Sequence, residues 1–126
     1  MNNSACVRWH LAIPPEVTTE YAGTKLGPYY SSAQACVETQ VRAREILRSL
    51  YGVDIGQPGL PVPAYVGVAS LGAHLVLPDD HPPMVANQGR VLADRKAVWE
   101  LRPALPEESE WLGRYAEIRD DMGRLL

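Results

Sequence analysis

The sequence predicts an α/β fold of short strands alternating with helices, and three observations carry that expectation. Residues 6–13 alternate apolar and polar with period two, and residues 32–51 repeat apolar side chains at helical spacing. A short apolar pair around Asp54 then follows the helix directly, where a buried parallel strand belongs in such an alternation. Ten glycines and eleven prolines in 126 residues add many turns and argue against a helical bundle.

The period-two segment places Val7, Trp9 and Leu11 on one parity and Arg8, His10 and Ala12 on the other, and Pro14-Pro15 closes it. Residues 16–30 lack periodicity and carry Gly23, Gly27 and Pro28, so they are expected to form a covering loop with at most one helical turn. The helix over 32–51 has a capping box in Ser31 and Gln34 and a left-handed stop in Gly52. Cys36, Val37, Val41, Ala43, Ile46, Leu47 and Leu50 form its apolar stripe, and Glu38 with Arg42 an i,i+4 pair. Its length is about 30 Å at 1.5 Å per residue.

Asp54 then falls at the carboxyl end of a strand. Residues 63–71 suggest a short helix ending at Gly72, residues 73–77 a further strand stopped by Pro78, and Pro82-Pro83 with Gly89 an irregular or hairpin region. Asp94 caps a short helix through Leu101. Pro106 at a first helical position opens a terminal amphipathic helix with Trp111, Leu112, Tyr115, Ile118, Met122 and Leu125 on one face. That helix runs out on Leu125-Leu126 without a cap, which reads as a chain cut before its natural stop.

Composition narrows the function classes. The length is that of one domain, and 46% hydrophobic with 21% charged residues is a globular balance. A formal charge of −3 with no block of like charge argues against a nucleic-acid surface and against a polybasic membrane patch. Cys6 and Cys36 are too few for a disulfide scaffold or a Cys-rich zinc site, and the N-terminus lacks the basic and apolar regions of a signal peptide, so a cytoplasmic location is expected. Residues 55–78 contain no Lys, Arg, Asp or Glu, but prolines and glycines interrupt them too often for a membrane span; they read as a buried or cleft-lining segment.

Taken in order, Leu26-Gly27-Pro28-Tyr29-Tyr30-Ser31, the helix with Glu38-Thr39-Gln40-Val41, Tyr51-Gly52-Val53-Asp54-Ile55, Ala69-Ser70-Leu71-Gly72-Ala73, Pro82-Pro83, Val91-Leu92-Ala93-Asp94 and Trp99-Glu100-Leu101-Arg102-Pro103 form a pattern. That pattern resembles the N-terminal part of the uroporphyrinogen decarboxylase superfamily, more its methyltransferase-like branch than the decarboxylases. The resemblance covers roughly residues 25–122 and rests on order and spacing. It implies a (β/α)8 TIM barrel, which takes about 250 residues. The chain is therefore expected to be the N-terminal portion of a barrel, incomplete at this length, with residues 1–31 a strand plus covering loop and 32–126 helix–strand units. An unpaired edge strand would then be completed by the missing C-terminal half, by a second chain or by self-association.

The methyltransferases of this superfamily bind zinc through His and Cys ligands later in the barrel and use a corrinoid protein as methyl partner. Zinc and a corrinoid protein are thus implied for the complete enzyme, along with a small-molecule substrate. His10, His74, His81 and Cys36 lack the spacing of a ligand set, so no metal or cofactor is expected in this chain. The decarboxylases carry a Phe-Ser-Asp-Ile motif and Arg-rich N-terminal segments, and neither occurs here. The first functional expectation is a fragment of a corrinoid-linked methyltransferase, inactive alone. A non-catalytic binding or assembly module is the alternative, and uroporphyrinogen decarboxylase itself a further one.

No catalytic residue is assigned from the sequence. Four residues are candidates for facing a substrate: Asp54 at a strand end, Arg8 and His10 sharing a strand face suited to an anion, and Tyr65 in the uncharged stretch, where His74 is a second cleft-lining candidate. Each has a plainer alternative: a backbone-capping aspartate, an edge strand's polar face, and half-buried packing. Asp79-Asp80-His81 reads as an ordinary turn beside prolines, Trp99 and Trp111 as core, and Gly67 with Gly72 as no phosphate fingerprint.

Overall fold

Helices dominate the fold. A computed structural model describes residues 11–61, 66–86 and 95–126. In chain order the elements are α1 (Pro15–Ala22), α2 (Leu26–Ser31), α3 (Ala33–Tyr51), α4 (Val66–Ala69), β1 (Leu75–Val76), β2 (Met84–Val85), α5 (Arg95–Glu100), a 3-10 turn (Pro106–Glu108) and α6 (Glu110–Leu125). The sheet in the described residues is one antiparallel pair, with Leu75 opposite Val85 and Val76 opposite Met84.

The expected half-barrel is therefore overturned: the described residues contain neither parallel strands nor alternating β/α units. The reason is where backbone and side-chain hydrogen bonds go after α3. The segment around Asp54 is irregular, and its partners are side chains of α3 rather than a neighbouring strand. Gln40 donates from Nε2 to the Gly59 carbonyl (2.8 Å) and accepts the Gly59 N–H at Oε1 (2.9 Å). With those groups satisfied by a helix, no sheet is required to accommodate the segment.

The covering loop also becomes helix. Pro15 at the first position and Glu16 in the first turn start α1, and Gly23 at φ 66° stops it. There the Gly23 N–H reaches the Glu20 carbonyl and the Thr24 N–H the Thr19 carbonyl, the two bonds of a Schellman motif. Pro28 sits in the first turn of α2, where its missing N–H has no intrahelical partner to lose. The turn-forming residues of this stretch thus punctuate two helices. Residues 11–13, the described part of the predicted first strand, are irregular; residues 6–10 lie outside the described residues.

The expected helix over 32–51 is present as α3, displaced by one residue at its cap. Ser32 is the N-cap, its Oγ accepting the Ala35 N–H at 3.3 Å, while Ser31 Oγ donates back to the Gly27 carbonyl. Gly52 closes the helix at φ 66°. Glu38 takes its hydrogen bond from Gln34 Nε2 (2.8 Å) instead of the expected Arg42. The buried stripe is Ala33, Cys36, Thr39, Ala43 and Leu47, all but Leu47 small side chains, and α1 and α2 pack on this helix; Thr39 donates to Thr24 Oγ1 at 3.1 Å.

Leu26, Tyr29 and Tyr30 of α2, Ala33 and Cys36 of α3, and Ile118 and Met122 of α6 form one core, with Val37, Leu60 and Leu77 against it. The terminal helix divides at Ser109: Pro106 opens the separate 3-10 turn, and Ser109 caps α6 by accepting the Leu112 N–H. The β-hairpin is tied to this core through its tip, where the Asp79 carbonyl accepts the Leu26 N–H (3.0 Å) and its carboxylate meets Lys25 Nζ (3.1 Å). The expected 73–77 strand is realised as β1 and the hairpin region as β2. Among the described residues no helix is long and apolar enough to cross a membrane.

Two outcomes check this packing by urea unfolding. Ile118→Ala is expected to lower stability by about 2–5 kcal/mol, because it empties the contact between α6 and α3. Gly52→Ala, in open space but at positive φ, is expected to cost about 1–2 kcal/mol through backbone strain alone.

Candidate functional site

A cleft of about 530 Å³ lies between β1 and the start of α6. Its first wall is the continuous stretch from Gly72 to Leu77, and its second includes Ala104, Glu108, Trp111 and Arg114. The two walls are held together where the Ala104 N–H reaches the Ser70 carbonyl at 2.6 Å. Sequence composition explains the chemistry of the first wall, since it lies in the uncharged run; the second brings an arginine, two carboxylates and an indole.

The backbone direction of β1 follows from its register. The Ala86 N–H donates to the His74 carbonyl at 2.8 Å, so positions 74 and 86 bond and the next opposed pair, Leu75 and Val85, does not. Leu75 therefore turns its N–H and C=O away from β2, to the other edge of β1. The Leu75 side chain is buried, while Val76 and its partner Met84 are 43% and 46% exposed on the outer face. Across the cleft, Trp111 Nε1 is shut off from solvent and has no hydrogen-bond partner among the described residues. A donor in that state costs about 1–3 kcal/mol until something accepts from it.

The carboxylates of the cleft differ in occupation. Glu108 Oε2 accepts the Leu105 N–H at 2.9 Å and is committed to its own turn. Glu110 stands in the first turn of α6, where the helix dipole favours a negative charge. His74 is exposed and lines the same cleft.

Asp54, the one described member of the four substrate-facing candidates, lies elsewhere. It follows α3 in irregular backbone, not at a strand end, and Arg44 grips it with two bonds, Nε to Oδ1 at 2.8 Å and Nη2 to Oδ2 at 2.9 Å. The Gly56 N–H adds a third at 2.9 Å. Arg44 first, and then the Gly56 amide, hold the Asp54 carboxyl at about 2, below its ordinary value of 3.8. This is the capping role, combined with a bidentate ion pair that fixes the chain after α3. Arg8, His10 and Tyr65 lie outside the described residues.

Two further expectations are corrected or sharpened. Trp99 is 89% exposed and contributes nothing to the core, whereas Trp111 is largely covered. Asp79, Asp80 and His81 form an exposed bend, with His81 Nε2 3.9 Å from Asp80 Oδ2. Among the described residues no three His, Cys, Asp or Glu side chains are grouped to hold a metal ion.

Cys36 is inaccessible, at the centre of the core. Burial pushes its thiol up to about 11, against the opposing hydrogen bonds of Gln40 and Tyr29. Such a thiol stays protonated and unreactive at neutral pH. No family model, curated protein or solved structure matches the chain.

The Asp54 fork gives a pH signature. A carboxyl depressed in the folded state stabilises fully above its ordinary pKa and loses that contribution as pH falls through the folded value. Asp54→Asn is thus expected to lower Tm at pH 7, with the gap to the native chain closing between about pH 4 and pH 2 in a thermal-unfolding series. For Cys36, a Cys6→Ser chain is expected to resist thiol-modifying reagents at pH 7 when folded and to react once urea unfolds it.

Proposed function

We propose that the chain is a non-catalytic binding or assembly module that receives an extended polypeptide segment along the edge of β1 opposite β2, which pairs with no strand among the described residues. The observation that carries this reading is the N–H and C=O of Leu75, two backbone groups turned away from β2 on a strand whose residues line the cleft. A segment laid beside β1 pairs with those groups as an added strand, which supplies affinity through the main chain and selectivity through alternate side chains. Leu75, Leu77, Ala69 and Ala73 give the cleft its apolar lining, and the Trp111 side chain adds an aromatic surface on the opposite wall.

The enzyme readings drew on the barrel. With that fold replaced, no observation in the described residues favours a corrinoid-linked methyltransferase or a decarboxylase over a binding role, and zinc and the corrinoid protein stay implications of the resemblance alone.

The test is selection of binders from a displayed library of random extended peptides, followed by titration of the best synthetic peptide into the isotope-labelled full chain. The Leu75 amide and the Trp111 indole signals are expected to move together, and Trp111→Ala to weaken binding at least about fivefold, a loss of about 1 kcal/mol from removing an aromatic contact surface. Selection of no peptide, or shifts confined to another face, would overturn the reading.

A further inference from the structure

We draw no further inference here: the strongest candidate, the apolar groove formed by Val37 and Val41 of α3, Pro58 and the exposed Leu125 and Leu126 at the end of α6, is an unpartnered surface, and nothing in the structure shows what covers it.

Discussion

Burial of one narrow stripe along α3 is the constraint on which the other elements depend. Ala33, Cys36, Thr39, Ala43 and Leu47 recur every three or four residues, and α1, α2 and α6 all pack on this helix. All but Leu47 of the stripe are small side chains, and the larger groups come from the partners: Tyr29 and Tyr30 from α2, Ile118 and Met122 from α6. The two tyrosine rings meet edge to face, with centroids 5.3 Å apart, and so fill the space that small α3 residues leave. A fold organised in this way needs no extensive sheet, and the hairpin is an appendage docked through Asp79 on Lys25 and Leu26.

Polar side chains of α3 extend its influence beyond the core. Arg44 fixes Asp54, and Gln40 fixes Gly59; the Tyr115 hydroxyl of α6 donates to the Pro61 carbonyl at 3.2 Å. These contacts hold an irregular segment across the junction of α3 and α6. The ion pair is exposed to water on the Asp54 side, so its role is geometric more than energetic. It sets the course of the chain that leads from the helical core to the hairpin and the cleft.

The parts of the fold that were legible in the sequence are those decided locally. The long helix with its Gly52 stop, the terminal amphipathic helix and, in the two residues Leu75–Val76, part of the strand expected at 73–77 all follow from periodicity and end signals within one window. What was not legible was set by partners distant in sequence. Gly23, Gly27 and Pro28 have the composition of a loop, yet each is compatible with a helix start or stop once the backbone is placed. Val53, Asp54 and Ile55 have the pattern of a strand, yet the acid between them is committed to an arginine ten positions earlier, a spacing with no local signature. Of the site, the uncharged run announced a cleft wall and His74 falls on it, but the opposing Trp111 looked like any core tryptophan. Its place on the cleft wall is a property of three-dimensional packing alone.

The paired hydrogen bonds between Gln40 and Gly59 carry one more consequence. A carboxamide presents one acceptor and one donor side by side, the same complement that a strand presents to its neighbour, so a single side chain of α3 imitates one rung of a ladder. The Gly59 amide belongs to no sheet and no helix, but its proton is released to solvent only when that rung opens. Its isotope-exchange clock is set by the rotamer of a glutamine nineteen positions away, which makes one loop amide a local reporter on whether the helix and the segment it restrains are still joined.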